Sequence, residues 1–126
     1  MRKLYYEDSH LREFTATVTG CAEVKKEIEK EKQDILNSKT VAIFGIGGVG
    51  GYVAESLART GIKNLILIDN DTISISNINR QIIALNSTIG KLKTEVMKQR
   101  ILDINPKASV NAINVFVTVD NIKDFN

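Results

Sequence analysis

The chain has 126 residues, of which 43% are apolar and 25% are charged, as is typical of a single globular domain. Seventeen basic and fifteen acidic residues give a formal net charge of +2, too small an excess to indicate nucleic-acid binding by itself. The single cysteine, Cys21, excludes an internal disulfide and a cysteine-based zinc cluster. Because neither a signal peptide nor a membrane-length apolar run is visible, we expect a cytoplasmic protein without membrane association.

The first 38 residues differ in character from the rest. Residues 14–19 alternate and are rich in β-branched side chains, which predicts a strand. Residues 23–34 carry four lysines and five acids around a thin apolar stripe, which predicts a solvated helix. We therefore divide the chain into an N-terminal strand and polar helix over residues 1–38 and a main domain over residues 39–126.

The main domain opens with a strand and a helix. Residues 40–44 form a continuous apolar run closed by glycine, a pattern typical of a strand buried on both faces. A helix follows, ending at Gly61 as a C-cap. Its apolar residues at helical spacing are Val49, Val53 and Leu57, with Ala54 and Ala58 available for close packing.

A second strand and helix follow in the same order. Residues 65–68 predict a buried strand that ends at Asp69, and a polar stretch to Thr88 is anchored by Ile82, Ile83 and Leu85. A helix from Ile89 must end near Asn105-Pro106. Residues 110–115 predict a third, weaker strand, and Thr118 or Asp120 is placed to cap a short last helix.

This order predicts an α/β fold, a Rossmann-like βαβαβ unit with a parallel sheet. Such a unit forms one half of a doubly wound domain, so we expect the domain to be truncated.

A glycine loop joins the first predicted strand and helix. Gly45, Gly47 and Gly50 have the spacing G-x-G-x-x-G, which suits a tight turn, a close approach to a phosphate and close helix–strand packing. The helix N-terminus adds unpaired N–H groups and a positive dipole end. Asp69 ends the next strand, where a carboxylate can accept ribose hydroxyls. These features fit NAD and ATP equally well.

Two cations downstream favour ATP. Arg80 lies in the polar stretch after Asp69, and Lys93 follows Gly90. A dinucleotide site binds one pyrophosphate through backbone N–H groups and needs few cations. A triphosphate carries more negative charge, and displacement at its α-phosphate adds further charge to the leaving pyrophosphate. Arg80 and Lys93 would neutralise that charge, so their presence makes an NAD-dependent oxidoreductase less favoured than an ATP-binding enzyme.

Four motifs in register carry a resemblance to a known family. They are residues 45–50 (GIGGVG), 67–71 (LIDND), 76–81 (SNINRQ) and 90–93 (GKLK). Together they resemble the ThiF/MoeB/HesA superfamily, the ATP-dependent adenylating enzymes related to ubiquitin-activating E1. Residues 79–85, 93–97 and 116–121 are most similar to the branch of tRNA threonylcarbamoyladenosine dehydratases.

The resemblance implies a role for each matching residue. Gly48 would approach the nucleotide with its backbone, and Asp69 would hold the ribose. Arg80 and Lys93 would be the catalytic cations on the triphosphate. The phosphate side would also be lined by Ser76, Asn77 and Asn79.

It also implies a reaction and partners. A carboxylate on modified tRNA would attack the α-phosphate of ATP, with Mg²⁺ present, and the acyl-adenylate would then be consumed by an intramolecular nucleophile. The family's habit implies a homodimer. In relatives a magnesium-binding aspartate and the substrate-binding half lie beyond the position of Asn126, so we expect this chain alone not to complete the reaction.

Two alternatives remain open. The chain could belong to an activator of a sulfur-carrier protein, which would then be its partner, or it could be a non-catalytic nucleotide-binding or dimerisation remnant. Residues 4–8 and 14–18 also weakly resemble the opening strands of AlaX-like alanyl-tRNA editing proteins. Because His10 is the only histidine, the zinc histidines of that family are absent and no editing activity is expected.

Overall fold

The computed structural model describes residues 4–8, 11–16 and 30–125, the first two ranges by their backbone alone. Strands β1 (Leu4–Asp8) and β2 (Leu11–Ala16) form an antiparallel pair. The strand predicted over residues 14–19 therefore begins three residues earlier, and its last residues lie outside the described part, as do Cys21, His10 and most of the predicted polar helix.

A parallel α/β unit follows, as predicted. Its elements are α1 (Lys30–Ser38), β3 (Thr40–Phe44), α2 (Gly50–Thr60), β4 (Asn64–Ile68), α3 (Lys93–Ile104) and β5 (Ser109–Ile113). The strands pair in the order β3-β4-β5, and both pairings are parallel. Parallel neighbours need a crossover connection, which α2 and α3 provide. The predicted βαβαβ unit is confirmed.

The core lies between the sheet and the two crossover helices. Leu65 and Leu67 on β4 and Met97 and Ile101 on α3 are at most 1% exposed. Helices α2 and α3 contact each other as well as the strands. Both helices therefore cover the same face of the sheet.

Strand β3 corrects one prediction. Ile43 is buried, but Ala42 and Phe44 are exposed, so the strand alternates instead of being buried on both faces. Within the described residues β3 pairs on one side only, with β4, and the helices cover only one of its faces. The uncovered face explains why a continuous apolar run is half exposed, since successive side chains of a strand point to opposite faces.

Helix α2 confirms the close packing predicted for Ala54 and Ala58 and corrects the prediction that Val49 and Val53 face the core. Its buried residues are Gly51, Ala54 and Ala58, whereas Val49 and Val53 are 79% and 42% exposed. Small side chains let the helix approach the sheet closely, so the valines lie outside the core, along a cavity of 630 Å³ beside β3. The C-cap is confirmed, because Gly61 has a φ of +97° and donates to Ala58 O at 3.2 Å.

The later boundaries largely follow the sequence. Helix α3 ends at Ile104, before Asn105-Pro106, but it begins at Lys93, so Ile89 lies in the preceding loop. The last helix is a short 3₁₀ turn, Ile122–Phe125. Thr118 precedes it as the capping residue, since its Oγ1 accepts the N–H of Asn121 at 3.3 Å.

A carboxylate joins the two crossover helices. Glu55 on α2 accepts hydrogen bonds from Arg100 on α3 and from Arg59, and its side chain is 12% exposed. The hydrogen bond from Arg100 is the main cause that lowers the pKa of Glu55, and Arg59 acts in the same direction. Within the described residues no helix is both long and apolar enough to cross a bilayer.

Candidate nucleotide site

The glycine loop leaves β3 and turns sharply into α2. Gly45 has a φ of +87°, a conformation that side-chain-bearing residues rarely adopt, and its N–H donates to Ile68 O at 2.8 Å. A Cβ on Gly50 would lie 1.8 Å from Gly45 O. The first and last glycines are therefore required by the turn itself, and the helix N-terminus is held directly against the end of the sheet.

Asp69 fixes this loop to the end of β4. Its Oδ2 accepts the N–H of Ile46 at 2.7 Å, and its Oδ1 accepts the N–H of Asp71 at 2.8 Å. Ile46 is fully buried, so the carboxylate has a structural function in addition to the predicted contact with ribose. Each carboxylate oxygen retains a second lone pair that can accept a hydroxyl.

Arg80 lies against the glycine loop although 30 or more residues separate them. An ideal Cβ on Gly48 would be 3.8 Å from Arg80 Cγ and from Arg80 O. The guanidinium is exposed and donates to Ser76 O at 2.9 Å and to Asn79 Oδ1 at 3.0 Å. These two bonds tie the guanidinium to the loop after β4 while leaving its other N–H groups for an anion.

The polar residues of the loop after β4 divide into two groups. Asn77 is 8% exposed, and its Oδ1 accepts the N–H of Ser74 at 2.9 Å. Ser76 and Asn79 are exposed. The contacts of Asn77 shape the loop, whereas Ser76 and Asn79 are accessible to a ligand; the predicted phosphate contacts of all three stay predictions.

Lys93 is placed differently from Arg80. Its side chain is 8% exposed, and its Nζ lies 3.2 Å from Asp71 Oδ2. Asp71 in turn donates its N–H to Asp69. The structure therefore joins Lys93 to Asp69, the carboxylate predicted to bind ribose, through Asp71, which the sequence reasoning did not single out.

A cavity of 340 Å³ opens beside these residues, at the carboxyl ends of the three strands. Its walls include Asp69 and the aromatic rings of Phe44 and Phe116. In open α/β sheets ligands bind at this edge. The aromatic walls suit a flat ring, and the sequence reasoning missed them because the two phenylalanines are 72 residues apart.

The described residues contain no group of three or more histidines, cysteines, aspartates or glutamates that could hold a metal ion. Both oxygens of Asp69 already accept backbone N–H groups, and Asp71 is paired with Lys93. The described residues therefore offer no ready-made cluster of metal ligands.

Comparison with known proteins gives one family. Residues 21–126 match the model of the ThiF family. A tRNA threonylcarbamoyladenosine dehydratase of Bacillus subtilis is 46% identical over 98 residues, which are 78% of this chain and 39% of that protein. A molybdopterin-synthase adenylyltransferase of Escherichia coli is 35% identical over 85 residues, 68% of this chain and 34% of that protein.

A solved structure agrees with the sequence relatives. The E. coli tRNA N6-threonylcarbamoyladenosine dehydratase in complex with ATP superposes with a TM-score of 0.80 at 39% identity, over 82% of this chain and 43% of that chain. This chain thus spans about two fifths of the length of these dehydratases. Since the family model covers most of the chain, from residue 21 to residue 126, the chain belongs to the ThiF family.

Proposed function

We propose that this chain is the nucleotide-binding part of an ATP-dependent tRNA threonylcarbamoyladenosine dehydratase. The observation that carries the proposal is the approach of Arg80 to the glycine loop, 3.8 Å from the Cβ position of Gly48. An arginine beside a phosphate-binding turn can neutralise part of the negative charge of a triphosphate. The similar dehydratase of E. coli has been solved with ATP.

In the proposed reaction, a carboxylate oxygen of the threonylcarbamoyl group attacks the α-phosphate of ATP. The bond between the α-phosphorus and the bridging oxygen breaks, and pyrophosphate leaves. An N–H nucleophile of the same substrate then attacks the acyl carbon, loses its proton and expels AMP, which closes a ring. The net change is loss of one water from the substrate, coupled to conversion of ATP to AMP and pyrophosphate.

The residues of the site would share this work. Asp69 would accept the ribose hydroxyls, and the aromatic cavity beside it would hold the base. The backbone of Gly45, Gly47, Gly48 and Gly50 would lie along the phosphates. Arg80 and Lys93 would neutralise the departing pyrophosphate, with Ser76, Asn77 and Asn79 on the same side.

Mg²⁺, a homodimer and a cytoplasmic location remain predictions. Mg²⁺ would arrive with the nucleotide, because the described residues offer no cluster of metal ligands. A homodimer is supported by the side of β3 that pairs with no described strand and by the cavity along it. The division of the chain at residue 38 and a resemblance of the N-terminal hairpin to editing proteins also stay predictions.

The alternative substrate is a sulfur-carrier protein, which the similarity to the molybdopterin-synthase adenylyltransferase supports. That relative is 35% identical, against 46% for the B. subtilis dehydratase. The difference in identity favours modified tRNA. A non-catalytic nucleotide-binding role is the second alternative.

Calorimetric titration with ATP, in the presence of Mg²⁺, and with NAD tests the nucleotide. We expect ATP to bind more tightly because two cations would face the phosphates; tighter binding of NAD would contradict the assignment.

Exchange of labelled pyrophosphate into ATP tests the substrate. Exchange that needs threonylcarbamoyl-modified tRNA supports the proposal, whereas exchange that needs a sulfur-carrier protein supports the alternative. ATP binding without exchange for either substrate would agree with the expectation that this chain alone does not complete the reaction, and would assign it the nucleotide-binding part.

A further inference from the structure

We propose that Asp71 is a positioning residue, which holds the ammonium of Lys93 in place for the phosphates of the nucleotide. The inference rests on the proposed function, because it concerns how the same site meets a triphosphate. It assigns a role to a side chain that lines the 340 Å³ cavity but does not stand among the residues expected to bind ATP.

The first observation is the burial of Lys93. The side chain is 8% exposed, and the single hydrogen bond of its Nζ to a described residue goes to Asp71 Oδ2, at 3.2 Å. An ammonium has three N–H donors, so two of them have no acceptor among the described residues. A buried charge with unused donors is costly unless an anion completes its contacts. The arrangement is suited to a phosphate oxygen.

The second observation is a short ladder that sets where the two side chains start. Lys93 N donates to Asp71 O at 3.1 Å, and Ile73 N donates to Lys91 O at 2.8 Å. Thr72 and Leu92 form the isolated bridge between these bonds. The backbone therefore fixes Asp71 opposite the first turn of α3, and the carboxylate reaches Lys93 without any movement of the loop.

The third observation is the asymmetry of the pair. The Asp71 side chain is 63% exposed, whereas that of Lys93 is 8% exposed. Water solvates the carboxylate, so its repulsion of a nearby phosphate is weakened. The lysine has no such access to water and depends on Asp71 for both its charge partner and its orientation. Asp71 should therefore help triphosphate binding more than its own charge opposes it.

A pair of probes isolates this role. ATP carries the phosphates that Lys93 would meet, whereas adenosine carries only the base and ribose. Asp71→Ala removes an exposed side chain and leaves the backbone ladder intact. We expect it to weaken ATP binding about tenfold, the effect of one charge-assisted hydrogen bond, and to weaken adenosine binding clearly less, although Asp71 also lines the cavity proposed for the base. Asp34→Ala, which removes an exposed carboxylate on α1, is the control and should change neither.

The same substitution made in a Lys93→Met variant tests whether Asp71 acts through Lys93. Lys93→Met keeps the buried volume and removes the charge. Asp71→Ala should cause no further loss of ATP affinity in the Lys93→Met chain. Asp71→Glu keeps a carboxylate and should retain part of the ATP affinity that is lost in Asp71→Ala.

The calorimetric outcomes separate the two proposals. Unchanged or tighter ATP binding by Asp71→Ala overturns the positioning role alone, since it would mean that the carboxylate competes with the phosphates. An equal loss for adenosine, or a loss that persists in the Lys93→Met background, also overturns it. A parent chain that binds no ATP overturns the proposed function, and the positioning role with it.

Discussion

Replacement of Gly50 by alanine should damage this chain more than any other change of one methyl group. The added Cβ would lie 1.8 Å from Gly45 O, where carbon and oxygen ordinarily stay about 3.3 Å apart. One of them must therefore move by about 1.5 Å. The oxygen belongs to a backbone whose N–H is bonded to Ile68 O at 2.8 Å, so no side-chain rotation relieves the contact.

The loss of folding free energy caused by Gly50→Ala can be estimated from the effects of overpacking. Overpacking usually destabilises a protein by about 1–3 kcal/mol, and a contact with fixed backbone belongs at the upper end or above it. A loss of about 3 kcal/mol is a large part of the roughly 5–15 kcal/mol that stabilises a domain. For a domain of this size it lowers the melting temperature by roughly 12 °C or more.

Gly48→Ala is the matched control, in the same loop and with the same added methyl group. Its Cβ would find its nearest atoms at 3.8 Å, and the φ of Gly48 is not positive. We expect its stability to stay within about 1 kcal/mol of the parent. ATP binding should weaken nevertheless, because the methyl group projects toward the backbone of Arg80 and into the space proposed for phosphate.

Thermal melting followed by circular dichroism, with calorimetric titration of ATP, measures both effects. Gly50→Ala should melt far below the parent, and Gly48→Ala should melt with the parent but bind ATP more weakly. If Gly50→Ala melts at the parent's temperature and binds ATP equally well, the loop is not closed as described and the reasoning fails.

Three further substitutions probe the site and the core. Arg80→Ala should weaken ATP binding about tenfold to a hundredfold with no change in melting temperature, because the exposed guanidinium bonds only to its own loop; unchanged affinity would remove Arg80 from the site. Asp69→Ala should lower both affinity and stability, the latter by about 1–3 kcal/mol, since the buried N–H of Ile46 loses its acceptor; a melting temperature equal to the parent's would show that this bond is dispensable. Glu55→Gln should destabilise the chain at neutral pH. Because Arg100 lowers the pKa of Glu55 in the folded state, the stability that this carboxylate contributes is present above the ordinary pKa of a glutamate and is lost as the pH falls through the lowered, folded-state pKa. The difference between parent and variant in melts at several pH values should therefore shrink in acid, and a constant difference would contradict the ion pair.

The sequence by itself determined the order of the elements in the parallel unit and pointed to the candidate nucleotide site. The reason is local. The spacing of Gly45, Gly47 and Gly50 between an apolar run and a helical pattern is compatible with few backbone conformations other than a tight strand-to-helix turn. Gly61 ends the helix because it adopts a positive φ. Parallel pairing then follows, because a helix of this length between two strands returns the chain in the same direction.

Tertiary structure alone decided which face of each element is buried and which charges meet. Helical spacing marked Val49 and Val53, yet the alanines pack against the sheet because small side chains allow the closer approach. Helical periodicity fixes angles around one helix axis and carries no information about the distance to a neighbour. In the same way, Asp71 and Lys93 are 22 residues apart and meet only because a backbone ladder places one loop against the first turn of α3.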